Sequence, residues 1–235
     1  MNITGLQKMT LLDFPGRIAC TVFLQGCNFR CPFCHNSDLL DGEGAQQISV
    51  EELLTFLKKR KGMLDGVCIT GGEPTVQRDL PELLAQIKAL GYPVKLDTNG
   101  YRPEVLKALV EEGLVDYVAM DIKNSPDEYG KTVGLSKMDI SRIEESIRFL
   151  AKGTVDYEFR TTVVSQLHTK KSIEDMGKWL LDTAGAPVKQ LFLQPFVDRD
   201  TVMFAGLQAP ETAQMAEYAT ILEPFAESVK IRGNG

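Results

Sequence analysis

What this sequence lacks narrows its possible functions first. No apolar run approaches the roughly 20 residues that a bilayer span requires, so no membrane helix is expected. There is no surplus of basic charge. Lys and Arg number 26 against 32 Asp and Glu, a net charge of -6, whereas general binders of nucleic acid or anionic membrane surfaces carry a basic excess. Low-complexity runs, linkers and charge blocks are missing too, so a single domain over residues 1–235 is expected. The opening stretch MNITGLQKMTLLDFPGRIA sets an acid, a proline and a glycine where a secretory signal needs an unbroken apolar core, which leads to a cytoplasmic reading. Hydrophobic residues make up 43% of the chain, enough for a core without disulfide support. The five cysteines are odd in number, and three crowd into residues 27–34. That pattern does not suit a disulfide framework and points to metal or redox chemistry.

What is present is an alternation of short β-branched segments with amphipathic stretches of helical spacing. Strands are expected at Ile18–Leu24, Gly66–Thr70, Pro93–Asp97, Val115–Asp121, Tyr157–Val164 and Lys189–Gln194. Helices are expected at Val50–Lys61, Leu80–Leu90, Pro103–Glu112, Ile140–Lys152, Ser172–Thr183 and Pro210–Phe225. Ser49 with Glu52 makes a capping box, and Pro103 and Pro210 suit first-turn positions. Strands alternating with helices imply an α/β fold with a parallel sheet and right-handed crossovers. Six units fit either an open doubly wound sheet or an incomplete (β/α)6 barrel. Polar, glycine-rich segments follow four consecutive strands: GCNFRCPFCHN, GGEP, DTNG and DIKN. Ligands gather at the carboxyl ends of parallel strands, so these four segments mark one candidate rim.

Cys27, Cys31 and Cys34 stand in C-x3-C-x2-C spacing. Thiolates are the usual ligands of iron–sulfur clusters, and three on a short loop leave one iron open to a cofactor or substrate. A structural zinc site is the alternative, but zinc favours four protein ligands and no second cysteine pair is present. His35 adjoins Cys34 too closely for easy joint ligation, and His168 is far along the chain. Cys20 and Cys68 lie in apolar strand patterns and read as buried core residues.

The stretch CNFRCPFCHN, with Phe33 just before the third cysteine, resembles the signature of the radical S-adenosylmethionine superfamily. Its Cys-Pro-Phe-Cys-His-Asn segment, which includes His35, resembles the branch that activates glycyl-radical enzymes, as does the opening Asp13-Phe14-Pro15-Gly16. The resemblance runs from Asp13 to about Phe196. It implies an incomplete (β/α)6 partial TIM barrel holding one 4Fe-4S cluster whose unique iron binds S-adenosylmethionine. Reductive cleavage of that cofactor yields a 5′-deoxyadenosyl radical. In this branch the radical abstracts a glycine α-hydrogen from a partner glycyl-radical enzyme, so no catalytic side chain is expected beyond the cluster and the cofactor.

The other motifs take roles from the same resemblance. Gly71-Gly72-Glu73-Pro74 alone is a common turn, with glycines that permit close approach. Placed after this cysteine loop, it resembles the GGE motif that meets the cofactor's amino group. Asp97-Thr98-Asn99-Gly100 matches the branch and implies cofactor contacts with a possible monovalent cation. Asp121 and Lys123 match an Asp-x-Lys motif, and strand alternation aims them the same way. Arg160, in the fifth strand, suits either a cofactor carboxylate or a structural ion pair. Val197, after Gln194-Pro195-Phe196, stands where many activases carry histidine. With no cysteines for further clusters, the chain is most like the longer form of the anaerobic ribonucleoside-triphosphate reductase activating proteins. A pyruvate formate-lyase-type activase comes second. A flavodoxin- or ferredoxin-type electron donor is implied, with no nucleic-acid or membrane partner. A radical enzyme acting on a small molecule, such as a deazaguanine-forming carboxylase, and a non-catalytic metal-binding module remain open.

Overall fold

The computed structural model describes residues 1–41 and 47–233. The chain divides into two compact units: Met1–Asn28 with Asn36–Ala119, and Phe29–His35 with Met120–Gly235.

The first unit runs β1 (Ile3–Thr10), β2 (Ala19–Leu24), α1 (Asp38–Asp41), α2 (Val50–Lys59), β3 (Gly66–Gly71), α3 (Leu80–Ala89), β4 (Val94–Thr98) and α4 (Pro103–Glu111). Its strands lie in chain order, with β1 antiparallel to β2 and β2, β3 and β4 parallel. Register places Val22 beside Ile69 and Ile69 beside Leu96, all without exposure. Such unbroken apolar runs are what parallel strands covered on both faces require. Leu53 and Leu57 of α2, and Leu80, Leu83, Leu84 and Ile87 of α3, recur at helical spacing and are buried. The Ser49–Glu52 capping box forms as expected, and Pro103 opens α4.

The boundary between units falls inside β5 (Tyr117–Asp121). The second unit continues with α5 (Pro126–Thr132), α6 (Ile140–Ala151), β6 (Asp156–Val163), α7 (Lys170–Ala184), β7 (Leu191–Pro195), α8 (Thr212–Leu222) and β8 (Val229–Ile231). Strands β6, β7 and β8 are parallel and in chain order. Glu158 is fully buried on β6, and Arg232 meets it with two hydrogen bonds of 2.7 and 2.8 Å. The Arg232 guanidinium also lies 3.5 Å from the Phe192 ring centroid, so β8 is fastened by charge as well as by its ladder.

All six expected strands and six helices form, with shifted ends. Helix α7 starts earlier than expected because Thr169 caps it and Ser172 returns the bond. Pro210 is not in a first turn: Glu211 is the N-cap of α8, so the proline precedes the helix. Residues 223–225 tighten into a 3-10 turn rather than extending α8. The strands β1 and β8 and the helices α1 and α5 were not expected.

Candidate functional site

In the first unit the end of β3 is joined to that of β2 by backbone amides and to that of β4 through one carboxylate. Gly72 N–H donates to Leu24 O at 2.9 Å and Glu73 N–H to Gly26 O at 2.8 Å. A Cβ on Gly72 would stand 2.1 Å from Gly26 O, and one on Gly71, where φ is +125°, 2.2 Å from Leu24 O. Both glycines are therefore needed for the approach of β3 to the segment leading into Cys27. Glu73, 1% exposed, accepts four hydrogen bonds. Thr75 N–H (3.1 Å), Thr75 Oγ1 (2.6 Å) and Thr98 Oγ1 (2.7 Å) reach Oε1, and Asn99 N–H (2.6 Å) reaches Oε2. Burial pushes its pKa up, against the pull of these donors. Three donors of the chain thus meet Oε1 and one meets Oε2, which fixes the carboxylate in place.

Asn99 continues the stitch. Its Nδ2 donates to Asn28 Oδ1 at 2.8 Å and lies 3.9 Å from Cys27 Sγ. Asn28 Nδ2 is the one buried side-chain polar atom without a partner among the described residues. Asp97 pairs with Lys95, which is 2% exposed, and stands 3.7 Å from Cys68 Sγ. Cys20 and Cys68 are buried core residues, as expected, and burial pushes the Cys20 thiol up to about 12.

In the second unit the DIK segment forms a charged triad. Lys123 Nζ lies 2.9 Å from Asp121 Oδ2, and Arg160 Nε 3.1 Å from Asp121 Oδ1. Of the two roles open to Arg160, the chain itself realises the ion pair. Burial alone would raise the Asp121 carboxyl, but Lys123 and Arg160 outweigh it and hold it down to about 2. Lys123 also sits 5.8 Å from the Phe33 ring centroid, with Phe33 buried. Cys31 is buried, and burial pushes its thiol up to about 11 despite the opposing charge of Lys123. Cys34 N–H donates to Cys31 O at 3.1 Å.

His35 stacks on Phe196, with ring centroids 5.4 Å apart. Its Nε2 bonds Val197 O at 2.7 Å, and Thr201 Oγ1 donates to His35 O at 2.7 Å. Burial lowers its pKa, so it rests as a neutral ring held by the segment after β7. His168, unassigned from sequence, is 1% exposed and bonds Lys123 O through Nε2 at 2.9 Å. A lone histidine ahead of a helix carries no sequence signal for that task.

Among the described residues, no three His, Cys, Asp or Glu side chains gather into a ready metal group. The donor chemistry nonetheless fits iron. Three thiols share one loop, and the spare amide of Asn28 adjoins Cys27, where cluster sulfurs accept hydrogen bonds. Among the described residues no helix is long and apolar enough to cross a membrane.

Residues 21–180 match the Radical SAM superfamily. Over 98% of its length the chain is 32% identical to a protein of Methanocaldococcus jannaschii named as a glycyl-radical enzyme activating enzyme, covering 95% of that protein. It is 28% identical to the pyruvate formate-lyase 1-activating enzyme of Escherichia coli, over 97% of each chain. Streptococcus suis SuiB bound to S-adenosylmethionine matches in fold with a TM-score of 0.65 at 13% identity, over 92% of this chain and 52% of that one. The α/β, mostly parallel, partial-barrel expectation is borne out.

Proposed function

Because this chain belongs to the radical S-adenosylmethionine superfamily, we propose that it is an activating enzyme that places a glycyl radical in a partner protein. The near full-length similarity to a protein named for glycyl-radical enzyme activation carries this reading. The superfamily uses a 4Fe-4S cluster and S-adenosylmethionine. Bound together and reduced by one electron, they supply a 5′-deoxyadenosyl radical that takes a hydrogen atom from a substrate C–H bond, leaving methionine, 5′-deoxyadenosine and a substrate radical.

The chain's own residues prepare for that chemistry, within one radical SAM domain spanning residues 1–235. Cys27, Cys31 and Cys34 would ligate the cluster as thiolates. Asn28 Nδ2 supplies a hydrogen bond beside Cys27. Gly71 and Gly72 let the end of β3 close against Leu24 and Gly26 beside Cys27, while Glu73 fixes that backbone to Thr98 and Asn99. Lys123 and Arg160 hold Asp121 ionised, so the triad offers a zwitterionic cofactor fixed charge of both signs. Phe33 is buried beside Lys123. Asp97, paired with Lys95, belongs to the segment at which this reading places a monovalent cation.

The partner in this reading is anaerobic ribonucleoside-triphosphate reductase, with a flavodoxin- or ferredoxin-type protein as the one-electron donor. The opening Asp13-Phe14-Pro15-Gly16 and the Gln194-Pro195-Phe196-Val197 variant support that choice. The test is anaerobic reconstitution followed by mixing with S-adenosylmethionine, reductant and candidate partners. The expected result is 5′-deoxyadenosine together with an electron paramagnetic resonance doublet from the glycine α-hydrogen on the reductase. A doublet only on pyruvate formate-lyase would change the partner. Consumption of a small molecule with silent proteins would overturn the activase reading. Cys27→Ala, Cys31→Ala and Cys34→Ala should each lose iron and sulfide, while Cys20→Ala and Cys68→Ala keep both.

A further inference from the structure

The closing turn of α5 reaches into the cysteine loop. Val133 is the C-cap of α5, and its carbonyl is one of those at a helix end that find no partner within the helix. It accepts Arg30 N–H at 2.9 Å. Arg30 lies one residue before Cys31, in a stretch without regular structure whose amides need partners from elsewhere. Gly134 follows, with φ of +71°. A Cβ there would stand 2.3 Å from Arg30 O, 2.9 Å from the Arg30 carbonyl carbon and 3.2 Å from Arg30 Cβ. Two separate demands therefore fall on Gly134: a left-handed backbone and empty space for the loop.

The turn is braced from behind. Leu135 N–H donates to Gly130 O at 2.9 Å. Asn124 Nδ2 donates to Thr132 Oγ1 at 3.0 Å and to Leu167 O at 2.8 Å. Tyr129, fully buried, donates to Asp121 O at 3.3 Å. The end of α5 is thus tied to the same strand end that carries the charged triad.

We infer that the Val133–Gly134 turn is the positioning device for the cysteine loop, setting the backbone at Arg30 so that Cys31 and Cys34 can ligate iron. It acts through main-chain contact and touches no cofactor atom. The inference rests on the reading of Cys31 and Cys34 as cluster ligands.

A matched control lies in the same unit. Gly153 follows α6 with φ of +70°, and its N–H bonds Leu150 O at 2.9 Å. Nothing lies within 4 Å of where its Cβ would stand. Alanine at 153 therefore introduces the backbone strain alone, whereas alanine at 134 adds the collision with Arg30.

The experiment compares wild type, Gly134→Ala and Gly153→Ala by circular dichroism, thermal midpoint, iron and sulfide content after anaerobic reconstitution, and the resonance spectrum of the reduced cluster. Gly153→Ala should lower the midpoint and keep wild-type cluster content and line shape. Gly134→Ala should fold, lower the midpoint further and lose most of its iron, or hold it with an altered line shape. Wild-type content and line shape in Gly134→Ala overturn the inference, as does an equal cluster loss in Gly153→Ala. A wild type that assembles no cluster overturns the ligand reading itself, and this inference with it. If Gly134→Ala does not fold, Arg30→Pro and Arg30→Ala ask the same question from the loop. Proline removes the N–H and should lose the cluster, while alanine keeps the N–H and should retain it. Equal behaviour of those two variants overturns the inference.

Discussion

Glu73 in the first unit and Asp121 in the second are both carboxylates at strand ends, and the chain satisfies them by opposite means. Glu73 is enclosed and met by four uncharged donors. Asp121 is met by two cations. The consequence is a pKa raised by burial in the first and held down to about 2 in the second. Neutral donors at fixed positions define a backbone shape. Paired cations define a local charge. The first unit thus contributes form at its strand ends, and the second contributes field.

The largest effect that can break this comparison is expected from Glu73→Gln. An amide NH2 would replace an acceptor with a donor among four donors, at a cost of about 3 kcal/mol, measured by urea unfolding of the cluster-free protein. A cost below about 1 kcal/mol would mean that the donors re-pair and the stitch does not depend on the carboxylate.

Asp121→Asn comes next. The drop from 3.8 to about 2 is worth ~2 kcal/mol at neutral pH. A lowered carboxyl stabilises the fold above its unfolded value and loses that contribution as pH falls through the folded one. The difference between wild type and Asp121→Asn should therefore persist above pH 3.8 and fade toward about 2. Glu73 has the opposite sign. Its raised pKa gives a contribution complete below the unfolded value of 4.5 that is lost as pH rises through the folded one. Unfolding curves across pH should lose that falling slope in Glu73→Gln and keep it in Asp121→Asn. If both variants change the slope in one direction, the contrast between the units fails.

The smallest effect is expected at Lys189, whose exposed pair with Asp156 should make Lys189→Ala nearly silent in the same assay. A large loss there would show that surface charge, rather than the half-buried triad, governs the pH response.

The parallel core was legible because its strands are short apolar runs and its helices carry buried residues at three- and four-residue spacing. Strand β1 was not legible, since ITGLQKMT mixes glycine, lysine and glutamine along an antiparallel strand with exposed positions. The helix α5, PDEYGKT, spans seven residues and contains a glycine, too short for a periodic signal. At the site, the motifs mark segments but not the contacts that each residue makes. Gly72 reads from sequence as a glycine that permits close approach, and the space its Cβ would fill lies against Gly26. Nothing in GGEP reveals that Thr75, Thr98 and Asn99 converge on Glu73.

The discontinuity of the second unit bears on how the protein is made. Residues 29–35 pack with a body of chain that begins only at Met120. At about 5–20 residues per second, a ribosome needs roughly 5–20 s after Arg30 to deliver Gly134. Throughout that delay the nascent polypeptide carries the thiols of Cys31 and Cys34 without the residues that enclose them. Until those later residues arrive, the two thiols stay open to oxidants and stray metals.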